Sequence, residues 1–204
     1  MNGLFKDLLK EFWVWVILIA ALIFWLSSCT PDETTDERIP KTYTVQKGQH
    51  DFKPSPFPLP EQARTVTVTF MLDSSCYYTS LGVDNYDWNK LFGFYRWDDH
   101  KKNKNAVMIA WRPYLALRNS FQVCLYENVN NTNRPQEDRL QVVMSNRFYA
   151  AALLEENGKF TALLNLDTLG KQRNELRYKV VGRNSAYFGG TSKAPHRMFL
   201  QMDF

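Results

Sequence analysis

The sequence predicts an all-β protein, an antiparallel β-sandwich of jelly-roll-like type with roughly nine or ten strands, behind an N-terminal signal or anchor helix. Three observations predict this fold. Residues 65–72 alternate, with Val66, Val68, Phe70 and Leu72 on one face, as in a half-buried strand. Short strand-like segments separated by turn residues recur to the end of the chain. Hydrophobic residues make up 45% of the 204 residues and aromatic residues 15%, which is enough to form a core.

The same pattern assigns the remaining strands. The Asn-Gly pair at 157–158 predicts a hairpin turn, because these residues accept the positive φ angles of a two-residue turn. Residues 150–156 are rich in Ala, Leu and Glu, so a turn of helix is the alternative there. The candidate strands are 42–45, 91–97, 105–112, 120–128, 139–145, 149–155, 160–166, 175–182 and 196–204.

Charge and proline mark the predicted boundaries. We expect a lipoprotein signal peptide at 1–28, an acidic flexible tether at 29–41, a short strand and a proline-rich linker at 42–63, and the β-sandwich at 64–204. Four of the nine prolines lie between positions 53 and 60, so the linker must be extended.

An apolar run precedes the first cysteine. Residues 12–26 carry no charge, and their 15 positions fall short of the roughly 20 that a membrane-spanning helix needs. The run ends in Leu-Ser-Ser-Cys at 26–29, which resembles the lipobox of bacterial lipoproteins. This resemblance implies cleavage before Cys29 and a lipid on its sulfur, which would anchor the protein in a membrane.

The N-terminal flank leaves an alternative open. Asp7 and Glu11 offset Lys6 and Lys10, so the flank is less basic than that of most signal peptides. An uncleaved membrane helix with Cys29 just outside it is therefore the alternative. Under both interpretations the rest of the chain lies outside the inner membrane.

The residues after Cys29 bear on location. Thr-Pro-Asp-Glu at 30–33 resembles the acidic export signal of surface lipoproteins of the Bacteroidota. We therefore expect a lipid anchor in the outer membrane, on the cell surface. An inner-membrane anchor that faces the periplasm, with a plain acidic tether, is the alternative.

Two further cysteines, Cys76 and Cys124, belong to the predicted sandwich. The bacterial envelope permits disulfides, so a bridge between them is one interpretation. The other is that each is a small buried hydrophobic residue with a free thiol. The sequence does not decide between the two.

Motifs for catalysis are missing from the sequence. No phosphate loop, dinucleotide fingerprint, zinc motif or serine-elbow motif occurs, so we expect no enzyme, no metal and no cofactor beyond the lipid. The one compact acid–histidine cluster, at 98–100, is typical of a solvated loop.

The net charge is +4, and from Lys41 onward there are 22 Lys and Arg and 15 Asp and Glu. These bases are scattered, so no nucleic-acid partner is expected.

Aromatic residues concentrate between positions 77 and 97. Flat aromatic rings stack on sugars and line peptide grooves, so Tyr86, Trp88, Tyr95 and Trp97 are the candidate ligand-binding residues. The alternative is that they form sandwich core, because Tyr95 and Trp97 share one face of a strand.

Four segments form a recognisable set: residues 43–50, 88–94, 105–112 and 187–196 (Tyr-Phe-Gly-Gly-Thr-Ser-Lys-Ala-Pro-His). In this order they resemble an uncharacterised family of small β-sandwich proteins found in Bacteroidota genomes and their phages. The resemblance spans most of the chain after position 42 and implies the fold; the family has no known activity, so it implies no function. Members commonly carry a histidine-rich stretch where only His100 stands here. The two glycines of the last segment predict a tight loop that closes the sandwich.

The sequence thus predicts an outer-membrane or surface lipoprotein whose non-catalytic β-sandwich binds a glycan, a peptide or an envelope partner. A structural accessory subunit of an outer-membrane complex is the alternative. A hydrolase with a dispersed site ranks below both.

Overall fold

A computed structural model describes most of the chain after position 39. The described ranges are 40–54, 65–96, 105–130, 132–157, 159–172, 180–184 and 186–204. The predicted signal peptide, Cys29, Trp97 and the acid–histidine cluster at 98–100 lie outside them. Among the described residues no helix has the length and apolar character that crossing a membrane requires.

Two antiparallel sheets form the fold, which confirms the predicted β-sandwich. The described strands are β1 (Lys41–Val45), β2 (Thr65–Leu72), β3 (Asn89–Arg96), β4 (Ala106–Pro113), β5 (Ser120–Val129), β6 (Thr132–Pro135), β7 (Gln141–Met144), β8 (Phe148–Glu156), β9 (Lys159–Leu164), β10 (Asp167–Lys171), β11 (Val180–Asn184) and β12 (Met198–Asp203). Sheet 1 has the order β1-β12-β2-β8-β9-β10. Sheet 2 has the order β11-β3-β4-β5-β6, and β7 also pairs with β5. Because β1 pairs with the last strand, the segment before the proline-rich linker belongs to sheet 1.

The alternating strand behaves as the sequence predicted. Val66, Val68, Phe70 and Leu72 of β2 are buried in the main core. The hairpin at Asn157 is also confirmed: its φ is +53°, and β8 and β9 pair up to Glu156 and Lys159 on either side of the turn.

The predicted strand at 149–155 is confirmed as β8. It is not a helix turn, the alternative for residues 150–156, because β8 pairs with β2 on one side and β9 on the other. The described residues hold twelve strands: the ten predicted ones and two short additional ones. Both unpredicted strands, β6 and β10, lie at sheet edges. β6 is polar and ends in proline, and β10 is interrupted by a register shift, so neither shows a regular apolar pattern.

The central strands of sheet 2 are buried on both faces. Val107, Ile109 and Trp111 of β4 point into the core between the sheets. The residues between them belong to a second buried cluster on the face that points away from sheet 1, which we call the outer face. The outer face carries Ala106, Met108 and Ala110 of β4 and Cys124 and Tyr126 of β5.

The disulfide between Cys76 and Cys124 is not formed; both thiols are free and buried. A disulfide requires Cβ atoms about 3.8 Å apart. Cys76 lies in the core between the sheets, where its Sγ donates to the Phe199 carbonyl oxygen at 3.1 Å. Cys124 lies on the outer face of sheet 2, so the sheet itself separates the two sulfurs. Burial raises the pKa of both thiols, which keeps them protonated and unreactive.

We therefore expect Cys76 and Cys124 to resist alkylation in the native protein and to react in guanidinium without added reductant. Mass spectrometry of the intact and digested protein measures the label at each residue. Labelling of neither thiol in guanidinium until a reductant is added would instead show a bridge.

Candidate functional site

Small side chains on the outer face of sheet 2 create the space for the candidate site. Lys90, Ala110 and Cys124 lie side by side across β3, β4 and β5. Because Ala110 and Cys124 are short, longer side chains from neighbouring positions extend over them. Trp88 and Tyr126 pack there, and Tyr95 packs against the same cluster.

A cluster of four residues stands at this face, and we call it the Trp88 cluster: Tyr86, Trp88, Arg112 and Glu137. The Arg112 guanidinium carbon lies 4.3 Å from the centroid of the Trp88 ring. One oxygen of Glu137, Oε1, accepts from Trp88 Nε1 at 3.1 Å and from an Arg112 terminal nitrogen at 3.0 Å. Arg112 also donates to Gln122 Oε1 at 2.8 Å and to the Tyr86 carbonyl oxygen at 3.2 Å. The Arg112 guanidinium therefore contacts four residues: Trp88, Glu137, Gln122 and Tyr86.

The Trp88 cluster contains a buried side chain, which supports Arg112, and exposed side chains, which a ligand can reach. Trp88 is only 6% exposed, so its ring is covered and carries Arg112. Tyr86 is 59% exposed, and the side chain of Glu137 is 49% exposed. The side chains of Tyr86 and Glu137 are therefore the ones a ligand can reach, while Arg112, with a side chain only 13% exposed, holds Glu137 and the Tyr86 backbone in place.

Lys90 is buried beside this cluster. Its Nζ donates to the Trp88 carbonyl oxygen at 2.6 Å and lies 4.4 Å from the centroid of the Tyr126 ring. Burial lowers the pKa of Lys90 to about 8, although the nearby Asp87 carboxylate acts in the opposite direction. The amine therefore stabilises the position of the Trp88 backbone, and it is not exposed to ligand.

The predicted closing loop meets β3 at this point. The Gly189 amide donates to Asn89 Oδ1 at 2.8 Å, and the backbones of Tyr187 and Lys90 exchange two hydrogen bonds of 2.9 and 2.8 Å. Gly48 donates to the Ala194 carbonyl oxygen at 2.9 Å. Three of the four segments that carry the family resemblance, 43–50, 88–94 and 187–196, are therefore joined to one another here.

Two carboxylates hold the same loop. Asp84 accepts hydrogen bonds from the hydroxyls of Ser192 and Thr191, and Asp87 accepts from the Thr191 backbone. Gly190 has a φ of +78°, and any side chain there would collide with the Asp87 carboxylate. Burial first, and the Asp84 charge second, raise the pKa of Asp87. These acids are engaged in holding the loop in place.

Of the sequence-predicted ligand residues, Tyr86 and Trp88 meet at Arg112. Tyr95 packs on the same outer face at the other end of β3, where it pairs with Ala106, and Trp97 lies outside the described residues. Sequence reasoning missed Arg112 and Glu137, which meet Trp88 only through the pairing of the strands. In the described part of the chain no group of three or more His, Cys, Asp or Glu could hold a metal ion.

The fold and the site place the protein in the class of β-sandwich proteins. No family model matches the chain, and no curated protein is similar to it. Many solved structures overlap it, and three of them illustrate the level of similarity. Carbohydrate-binding module CBM66 from Bacillus subtilis has 8% identity, coverage of 81% of each chain and a TM-score of 0.37. Galectin LEC-6 from Caenorhabditis elegans has 8% identity, coverage of 79% of this chain and 96% of its own, and a TM-score of 0.39. Alginate lyase AlyC3 has 6% identity, coverage of 82% and 74%, and a TM-score of 0.45.

We expect Gly189→Ala to destabilise the protein by ~2–3 kcal/mol, because the added carbon would collide with the Trp88 carbonyl and lie 2.9 Å from Lys90 Nζ. Gly48→Ala is the control. It has a φ of +78° with open space around it, so we expect a backbone cost of only about 1 kcal/mol. Urea unfolding measures both, and equal losses would argue against close packing of the closing loop.

Proposed function

We propose that this chain is a lipoprotein of the bacterial outer membrane, anchored through Cys29, whose non-catalytic β-sandwich binds a glycan at the Trp88 cluster. The anchor rests on the lipobox-like residues 26–29 behind the uncharged run 12–26. The acidic residues that follow Cys29 support export to the cell surface.

The arrangement of Tyr86, Arg112 and Glu137 carries the binding proposal. A sugar ring offers an apolar face to an aromatic ring, and its hydroxyls both donate and accept hydrogen bonds. The exposed Tyr86 ring supplies the flat surface. The exposed Glu137 carboxylate, held by Arg112 at 3.0 Å, supplies a charged acceptor for the hydroxyls. Because Trp88 supports the guanidinium, this surface exists before the ligand arrives.

Binding without catalysis is proposed because the acids near the cluster already have structural partners. A glycosidase needs two carboxyl groups that face one bond, about 5–9 Å apart. Asp84 and Asp87 are engaged with the closing loop, and Glu137 with Trp88 and Arg112. None of the three is placed as a free acid or base.

We expect Tyr86→Ala and Glu137→Gln each to weaken glycan binding by about tenfold, because each removes one direct contact. A glycan array identifies the ligand, and calorimetry then measures its affinity. Phe148→Ala is the matched control, since Phe148 is a similarly exposed aromatic residue, at 50%, on sheet 1.

An equal loss in the Phe148 variant would contradict the assignment of the site, and no binding to any glycan would favour the accessory-subunit alternative.

One observation supports the alternative of a structural accessory subunit. Val83, Leu117 and Leu166 are exposed apolar residues on turns and loops of the sandwich, which a protein partner could cover. Co-purification of a membrane protein from detergent extracts, lost on Leu117→Ser with Leu166→Ser, would then identify the chain as a subunit.

We expect metabolic palmitate labelling of the protein to be lost in Cys29→Ala, because the cysteine of a lipobox is the residue that is diacylated. Cys124→Ala is the control and should keep the label. Fractionation of the wild type should place it in the outer membrane. Retention of residues 1–28, seen by mass spectrometry of the purified protein, would instead support the uncleaved anchor.

A further inference from the structure

A polar cleft lies at the side of the sandwich. It has a volume of about 450 Å³ and is lined by Gln136, Asp138, Arg139, Thr168 and Lys171. This volume falls within the range of small-molecule sites, about 300–1,000 Å³. The described lining residues are all polar or charged, so they can recognise a ligand by hydrogen bonds and charge.

One wall of the cleft depends on the irregularity in β10. Thr168 and Lys171 are three positions apart, so in a regular strand their side chains would point to opposite faces. The register shift between Thr168 and Gly170 changes this. Thr168 pairs with Leu163 and Lys171 with Thr161, two positions apart on β9, so the two side chains share a face.

The other wall is fixed by a buried amide. Gln136 Nε2 donates to Glu127 Oε1 at 2.8 Å and to the Lys171 carbonyl oxygen at 2.7 Å. The Gln136 backbone amide donates to the Leu125 carbonyl oxygen at 2.9 Å. These bonds connect Gln136 both to sheet 2 and to β10 of sheet 1. Hydrogen bonds to both sheets therefore fix the position of Gln136 in the wall of the cleft.

The charges of the cleft favour an anion that also carries hydroxyls. Arg139 and Lys171 contribute two positive charges and Asp138 one negative charge. The Glu127 carboxylate is buried behind Gln136 and accepts from it, so it does not face the cleft directly. A carboxylate can pair with the guanidinium or the ammonium, while hydroxyls can bond to Thr168 and Asp138.

The cleft and the Trp88 cluster share one short turn. The 3₁₀ turn Glu137–Arg139 contributes Glu137 to the Trp88 cluster and Asp138 and Arg139 to the cleft. A ligand chain of several sugar units that contacts Glu137 could therefore continue into the cleft.

We propose that the cleft is a subsite for a uronic acid unit, bound through its carboxylate by Arg139 and Lys171, within the glycan that the Trp88 cluster binds. The proposal rests on the proposed function for its biological ligand. Binding of a single uronic acid in the cleft is independent of that function and can be measured alone.

The experiment titrates the detergent-solubilised full-length protein with glucuronate and galacturonate, and with glucose and galactose as their neutral counterparts. Nuclear magnetic resonance follows the backbone amides of Arg139, Thr168 and Lys171. We expect at least one uronate to shift these signals and to bind about tenfold or more tightly than its neutral counterpart. Higher salt should weaken this binding.

The test variant is Arg139→Gln with Lys171→Gln, which should lose the uronate preference. The control is Lys47→Gln with Lys193→Gln, which removes the same net charge at exposed positions elsewhere and should keep it. Tyr86→Ala should also keep it. Equal shifts from neutral sugars, no shifts from either uronate, or a preference that survives in the test variant would each overturn the proposal. If Tyr86→Ala leaves oligosaccharide binding unchanged while the uronate preference holds, the proposed function fails and the subsite stands.

Discussion

The close approach of Gly189 to β3 is the contact on which the rest of the site depends. The Gly189 amide bonds to Asn89, and the Trp88 carbonyl beside it accepts from Lys90 Nζ at 2.6 Å. A side chain at position 189 would occupy the place of that carbonyl. Because Trp88 directly precedes β3, its ring takes its position from this contact, and the ring in turn supports Arg112. Because Gly189 has no side chain, the closing loop can pack against β3. This packing fixes the position of Trp88 and, through Trp88, that of the Arg112 guanidinium on the other side of β3.

The fold was predictable where one face of a strand is buried and the other is not. In β2 that asymmetry produces the alternation that identifies it. In β4 both faces are buried, so no period is visible and only its β-branched and aromatic residues indicate a strand. In β8 the helix propensity of Ala, Leu and Glu points to the wrong structure. Pairing with two neighbouring strands outweighs it, since propensity differences are only tenths of a kcal/mol per residue.

The candidate site was predictable only in part, for a physical reason. Tyr86 and Trp88 were found because aromatic residues are dense in their own segment. Glu137 lies 49 positions from Trp88 and meets it only through the order of the strands, which local patterns do not contain. The register of strand pairing is a second feature of the site that local sequence patterns do not contain. The shift between Lys90 and Phe92 in β3, and the shift in β10, decide which side chains share a face, and a one-residue change would move them to the other face.

Each region of the proposed binding surface contains one side chain that is held in place before any ligand binds. Arg112 is fixed by Trp88, Gln122 and Glu137, and Gln136 is fixed by two hydrogen bonds of its side chain. The entropy of ordering these side chains is therefore lost on folding and does not oppose binding. A flexible oligosaccharide must still lose its own freedom. Two contact regions that share one 3₁₀ turn limit this loss, because a sugar held at Glu137 keeps the next sugar unit of the same chain near Arg139.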